Sequence, residues 1–251
     1  MTLPQLHCRV RKRIKGVAVD LLAFGPNGWG DEMCLATLMT LAVSVCAFML
    51  ALIIGGIGAA GKLSRHRSVR LVLDLYTTVF RGVPELLIIY LIFFGGSGAV
   101  MFLAGIFGYH GYVEISAFAS GVSAICLING AYQTEVVRGA VLAVPKGQID
   151  AARSVGMNKW LLFRRILLPQ TLRLALPGLG NCWLSALKET ALVSVTGLVE
   201  IMRQSHVAAG SSQRPFLFYT VGAGLYLLLT TFSSYGFRSA ERWTSRGVRK
   251  I

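Results

Sequence analysis

The chain has 251 residues, of which 54% are apolar and only 14% charged, and a formal net charge of +14. Its mean hydropathy is +0.62. That balance excludes an ordinary soluble domain and a disordered chain, and leaves a protein that meets lipid.

Residues 1–23 form a basic N-terminal extension with Arg9, Arg11, Lys12, Arg13 and Lys15; a single membrane domain follows over 24–251. A helix needs about 20 mostly apolar residues to cross the hydrocarbon core. The stretches 33–61, 86–113, 115–134 and 215–237 contain no Asp, Glu, Lys or Arg, and 174–199 is interrupted only by Lys188-Glu189. All five qualify as spans. The first is too long for the apolar part of a cleaved signal peptide. Its end carries Gly55, Gly56, Gly58 and Gly61, small residues that let helices approach closely in lipid. The run Gly56 to Leu63 imitates a phosphate-binding loop, but Leu63 stands where such a loop needs Ser or Thr for magnesium, and no strand precedes it. No ATP site is assigned here.

Residues 71–80 are also apolar, and Arg81-Gly82-Val83-Pro84-Glu85 follows. Proline lacks an N–H and biases the residue before it, so a helix breaks or kinks there. The second span either enters the membrane before this break or starts at it. Both choices give one crossing.

The positive charge lies on alternate loops. Lys62, Arg65, Arg67 and Arg70 follow the first span. Arg138, Lys146, Arg153, Lys159, Arg164, Arg165 and Arg173 lie between the third and fourth. Arg238, Arg242, Arg246, Arg249 and Lys250 follow the fifth. This is the positive-inside pattern of a membrane protein, not a nucleic-acid footprint. It puts the C-terminus and the long third loop in the cytoplasm, and 109–112 and 206–213 outside. Five crossings then place the N-terminus outside, in conflict with the basic extension. Either the extension lies at the edge of where the rule counts, or it is not made. Cys8, Cys34, Cys46, Cys126 and Cys182 show no paired spacing, and are read as small buried hydrophobes. His7, His66, His110 and His206 have no ligand spacing, and no metal is assigned.

The third loop carries local helix signals. Pro145 suits a first helical turn. Gly156 is placed to end the helix in the left-handed conformation. Asp150 sits in the first turn, favoured by the helix dipole. Ile149, Ala152 and Gly156 make a small-residue face suited to docking on another protein. Asn158 can cap a second helix, with Trp160, Phe163 and Leu167 on one interfacial face and Pro169 ending it.

In the same loop Asp150, Ala151, Ala152, Gly156, Ile166, Leu168 and Pro169 follow the pattern E-A-A-x3-G-x9-I-x-L-P, with Asp for Glu. The loop resembles the one by which permease subunits of ABC importers hold their ATPase. Gly61-Lys62-Leu63-Ser64, Arg81-Gly82-Val83-Pro84, Gly130-Ala131-Tyr132, Arg138-Gly139-Ala140, Val144-Pro145-Lys146-Gly147 and Thr190-Ala191-Leu192-Val193-Ser194 are similar to the polar amino-acid permeases. The group is the HisQ type, for histidine, lysine, arginine and ornithine, with octopine and nopaline relatives. The resemblance covers about 24 to the C-terminus. It implies an all-α integral membrane protein of the type I importer permease fold, with five transmembrane helices and a cytoplasmic coupling loop. It implies a second permease subunit (HisM-like or a second copy), two ATPase subunits and a periplasmic solute-binding protein, with ATP and magnesium on the ATPase and no cofactor on this chain. The location it implies is the bacterial inner membrane. Residues 1–19 are expected to be dispensable for uptake, since the likeness begins after them.

Ionisable groups inside a membrane usually face a cavity or a partner. Lys188, Glu189 and Thr190 are therefore candidates for the solute path. A carboxylate can receive an ammonium or guanidinium group, and a Thr hydroxyl can donate to a carboxylate. The other reading of the charged pair is a subunit-interface ion pair, or residues reaching the headgroups at the outer end. Glu135 either contacts solute or pairs locally with Arg138. Asn181 serves either packing or the path. Glu85 is given no role. A secondary transporter would show inverted repeats, which are absent from the sequence; an intramembrane enzyme would need an aligned catalytic constellation.

Overall fold

The computed structural model describes residues 21–25, 28–106, 108 and 115–244. The basic extension as far as residue 20, the expected outer segment 109–112, and Cys8, His7, His110, Arg246, Arg249 and Lys250 lie outside them. Among the described residues every regular element is helical.

Helix α1 (Gly30–Lys62) has Asp31 and Glu32 in its first turn and Lys62 in its last, each on the side its dipole favours. Its 33 residues make it about 50 Å long, more than one bilayer core. Ala36, Thr40, Val43, Ser44, Ala47, Ala51, Gly55 and Gly58 are buried at spacings of three and four, while Leu35, Leu38, Met49, Ile53 and Ile57 are exposed. Apart from the buried Met33 and Phe48, the large apolar groups face outward and the small ones inward, the arrangement a lipid-facing helix needs. The buried hydroxyls return to their own helix: Thr40 Oγ donates to the Ala36 carbonyl at 3.0 Å and Ser44 Oγ to that of Thr40 at 2.7 Å.

Helix α2 (Arg67–Gly82) and helix α3 (Glu85–Ile106) resolve the open boundary of the second span. The chain breaks at Val83, which is extended (φ −91°, ψ 140°) as a residue before proline must be. Helix α2 is thus a separate element. Helix α4 (Ala117–Leu142) is the most enclosed helix, started by the Ser116 hydroxyl, which accepts from the Ala119 N–H at 3.2 Å. It lies against α1 through glycine: a Cβ at Gly55 would stand 2.7 Å from the Gln133 Cβ, and one at Gly58 would strike the Thr134 hydroxyl.

After the third loop comes helix α7 (Leu168–Val193), then a 3-10 turn (Ser194–Thr196) and Gly197 at φ +89°. Helix α8 (Ile201–Ser212) and helix α9 (Pro215–Thr244) complete the chain. The expected outer segment 206–213 is thus mostly helix, not loop. The reason is local: the Glu200 side chain accepts from the N–H groups of Met202 and Arg203 and starts α8. The core joins α1, α3, α4 and α7 around Val43, Ile89, Ile125, Ile128 and Val193, and continues around Phe48, Trp183 and Leu187. Cys126 and Cys182 are buried as expected, but Cys34 and Cys46 are exposed on the outward face of α1.

Among the described residues three helices are long and apolar enough to cross a membrane: α1, the part Glu85–Phe102 of α3, and α9. The run Lys159–Thr196, which contains α7, and α8, bent by 50°, make a fourth when taken together. Helix α4 is not among them. It is 26 residues long, but Asn129, Gln133 and Thr134 are buried in its interior and face other helices.

Candidate functional site

The third loop folds as two short capped helices. Helix α5 (Lys146–Ser154) begins at Pro145, which is its N-cap (φ −60°, ψ 126°) instead of a first-turn residue, so Asp150 falls in the second turn and not, as expected, in the first. It ends in a Schellman motif: the Gly156 N–H donates to the Arg153 carbonyl at 3.0 Å and the Met157 N–H to that of Ala152 at 3.1 Å. Gly156 has φ +77°, as expected of that position. The Asn158 side chain then accepts from the Leu161 N–H at 2.8 Å and starts helix α6 (Lys159–Leu162).

Pro169 does not end the second helix. A π-helical turn (Phe163–Leu167) runs straight into α7, and Pro169 sits in the first turn of α7. A missing N–H costs nothing there, and the wider π turn makes room for the ring. The small-residue face also points differently from expectation. Ala152 is buried and Ile149 half-buried against the rest of the chain. The outward surface is Lys146, Gly147, Asp150, Ala151, Arg153 and Gly156. Beside it stand Val155, 71% exposed, and Trp160, 68% exposed and stacked on Phe163 at 5.8 Å. Ile166 and Leu168 are half-buried.

The membrane-embedded candidates separate into three places. Glu189 is only 4% exposed and Thr190 fully buried, whereas Lys188 and Asn181 are exposed. Asn129 on α4 is within hydrogen-bonding reach of Glu189, and Glu85 is near enough for its charge to act on it. Among the described residues Glu189 Oε2 has no hydrogen-bond partner, and neither has Gln133 Oε1. Between them Gln133 Nε2 donates to Asn129 Oδ1 at 2.9 Å, and Asn129 Nδ2 to the Cys182 carbonyl at 3.0 Å. Among the described residues Glu189 Oε2 and Gln133 Oε1 are thus buried acceptors without donors, and each could receive a cation's N–H.

Thr190 belongs to a second group. Its hydroxyl donates to the Leu187 carbonyl at 2.7 Å and lies 3.2 Å from the Tyr226 hydroxyl, which donates to Glu200 Oε2 at 2.7 Å. Glu200 is fully buried. The Ile201 N–H donates to Thr40 Oγ at 3.2 Å. This network ties α1, α7, α8 and α9 together.

Asn181 and Lys188 are two helical turns apart on one face of α7. Asn181 lines a groove of about 240 Å³ with Ser234 and Arg238 of α9, and Thr231 is exposed on the same side of α9. These polar groups form an open stripe on helices of membrane length.

Glu135 is fully engaged. Its Oε1 receives Lys62 Nζ at 2.5 Å, and its Oε2 receives Nε and a terminal nitrogen of Arg138 at 2.9 and 2.8 Å. Lys62 also reaches Asp74 at 2.8 Å and Thr77 at 2.6 Å. The lysine of the imitation phosphate loop is therefore the last residue of a helix, bound to carboxylates. Sequence reasoning found the Glu135–Arg138 pair from its spacing, and missed Lys62, Glu85, Glu200 and Tyr226. Only Glu200 left a local signal, an acceptor just before a helix.

The profile of the family described as "Binding-protein-dependent transport system inner membrane component" matches residues 47–244. The chain is 54% identical over 232 residues to a nopaline transport system permease protein, NocQ, of Agrobacterium fabrum (strain C58), covering 92% of this chain and 98% of that one. It is 41% identical over 223 residues to the histidine/lysine/arginine/ornithine transport system permease protein HisQ of Escherichia coli (strain K12), covering 89% and 97%. The crystal structure of an amino acid ABC transporter with histidines contains a chain that superposes with a TM-score of 0.73 at 32% identity, over 85% of this chain and 94% of that one. A chain of the MetNI methionine ABC transporter superposes with a TM-score of 0.65 at 15% identity, over 84% and 94%, a likeness of fold alone.

Proposed function

Because the chain belongs to the family of binding-protein-dependent inner-membrane transport components, we propose that it is a permease subunit of an ABC importer for polar amino acids or opines. It works by alternating access, with ATP and magnesium held by a separate ATPase subunit. The observation that carries the reading is the α5–α6 pair. Two capped helices with exposed Asp150, Ala151, Gly156 and Trp160 stand between segments of membrane length, on a loop that carries seven basic residues. That is the shape of a projection that seats in a partner's groove. Two ATPase subunits, a periplasmic solute-binding protein and a second permease subunit, HisM-like or a second copy, complete the machine.

In this reading α1, α3, α4, α7 and α9 cross the inner membrane. The third loop and C-terminus are cytoplasmic, and α8 lies at the outer face. Helix α4 makes the fifth crossing although its composition is mixed, because protein surrounds it. Two features support a path for a charged solute. The stripe of Asn181, Lys188, Thr231, Ser234 and Arg238 has polar groups where a lipid-facing surface would be apolar. Glu189 offers an unpartnered acceptor to an ammonium or guanidinium group. Thr190, bonded to Tyr226, holds the network beside it. Glu135, with both oxygens engaged, does not face the solute.

Uptake of labelled arginine, histidine, octopine and nopaline by cells with and without this gene tests the function. Loss of uptake of one or more of them on deletion is expected. Uptake that persists without the ATPase subunit would refute the reading in favour of a secondary transporter. Single-cysteine labelling tests topology: Arg65 and Lys159 should label from inside and His206 from outside. The coupling role is tested by Asp150→Lys and Gly156→Val, the second forcing a β-branched residue into the left-handed region. Both should cut uptake while the complex still assembles. Normal uptake in both would remove the loop from the mechanism.

A further inference from the structure

The charge cluster at the end of α1 has all three donors of its lysine and both oxygens of its glutamate engaged, and neither transport of solute nor docking of a partner uses it. The Lys62 side chain is 6% exposed. An ammonium group has three N–H donors, and here there are three acceptors: Asp74 Oδ1 at 2.8 Å, Thr77 Oγ at 2.6 Å and Glu135 Oε1 at 2.5 Å. The remaining oxygen of Glu135 takes Arg138. Two cations meet two carboxylates, and three helices are joined: the last residue of α1, the middle of α2 and the cytoplasmic part of α4.

Helix α4 ends at Leu142, and only Ala143, Val144 and Pro145 separate it from α5. From Glu135 to the end of α4 is about 10 Å along the helix. Above the cluster, Gly55 and Gly58 bring α1 against Gln133 and Thr134 with no room for a Cβ, and a Cβ at Gly61 would strike Leu73 of α2. The three elements are held by charge at one level and by close packing on the glycines of α1 at the next.

A buried ion cluster is a weak means of adding stability, since well-packed apolar groups serve as well or better. What it adds is geometry. Separating α1 from α4 parts the desolvated Lys62 from Glu135, and moving α2 away costs Lys62 two of its three acceptors, so sliding and hinging at this point are both opposed.

We propose that Lys62, Asp74, Thr77, Glu135 and Arg138 form a rigid joint that carries displacement of α5 into α1 and α2, which makes Lys62 a positioning residue for ATP-coupled transport. The proposal rests on reading α5 as the seat of the ATPase. With the joint intact, movement of α5 turns α4, and α1 and α2 follow as one body. With the joint loosened, α5 moves with α4 alone and the rest of the subunit lags.

The test uses the complete importer in proteoliposomes, measuring ATPase activity with and without solute-loaded binding protein, together with uptake. Lys62→Met combined with Glu135→Gln removes both central charges at once, so that neither is left buried alone. Asp74→Asn is milder, since Asp74 is 62% exposed. The double variant should lower the stimulation of ATPase by at least about fivefold, with basal ATPase and recovered complex within about twofold of the unaltered importer. Asp74→Asn should give a smaller loss of the same ratio. Unchanged stimulation in both variants would overturn the proposal, as would losses that track lost complex. Asp150→Lys serves as the control for α5. If it uncouples while the joint variants do not, the joint alone is refuted; if it leaves stimulation normal, the reading of α5 fails.

Discussion

Glu135 and Glu189 are two carboxylates on neighbouring helices, and the structure treats them in opposite ways. Glu135 gives one oxygen to Lys62 and the other to Arg138. Glu189 is more deeply buried, yet its Oε2 has no partner among the described residues. A carboxylate whose lone pairs are all taken holds helices in place. One left unsatisfied in a low-dielectric interior favours any cation that reaches it. Burial alone does not separate structure from binding; the count of partners does.

The largest effect should come from breaking the paired site on one side only. Lys62→Met takes from Glu135 the more buried of its two cations while Arg138 keeps the other oxygen, a loss of about 3 kcal/mol. It should show as a sharp fall in the thermal stability and recovery of the complex. Stability equal to the unaltered protein would mean that water reaches the cluster freely. Next comes the outer network. Tyr226→Phe removes one donor from Glu200, which keeps the N–H groups of Met202 and Arg203. The expected cost is about 1–3 kcal/mol, read from the melting temperature.

Glu189→Gln sharpens the contrast, since its Oε2 has no hydrogen-bond partner among the described residues to lose. Stability should hold within about 1 kcal/mol, while uptake of cationic solutes falls about tenfold relative to neutral ones. Equal loss for every solute, in step with lost complex, would move Glu189 to the structural class. The smallest effect belongs to the exposed pair of Asp150 and Arg153, 3.6 Å apart with both side chains open to solvent. Arg153→Gln should change stability by less than about 1 kcal/mol, and a larger shift would show that α5 is less open than its exposure indicates.

Much of the fold could be read in the chain because its signals are local. The stretch 33–61 became the helix Gly30–Lys62, since absence of charge over such a length admits few other structures. Gly156 and Asn158 were found from the sequence because a cap depends on residues within one turn. Pro169 was misread for the same reason: proline stops a regular helix, but a π turn before it changes the register of the bonds it cannot make. The face of α5 was also misread. Periodicity shows which residues share a side but not which side the rest of the protein covers. Ala152 faces inward and Asp150 outward because of where α5 rests.

The sequence by itself determined what each segment is: which stretches suit lipid, where helices start and stop, which loops are basic, and which family the third loop resembles. All of these depend on neighbours along the chain. Tertiary structure decided which charges meet. Lys62 and Glu135 are 73 residues apart, and Tyr226 and Glu200 are 26 apart. Glu85, given no role from the sequence, lies near enough for its charge to act on Glu189 only when α3 and α7 pack. The physical reason is one of range. Capping and hydropathy act over a few residues, whereas an ion pair or an unsatisfied acceptor is defined by contacts between distant parts of the chain, and these exist only once the glycine-lined helices have closed on one another.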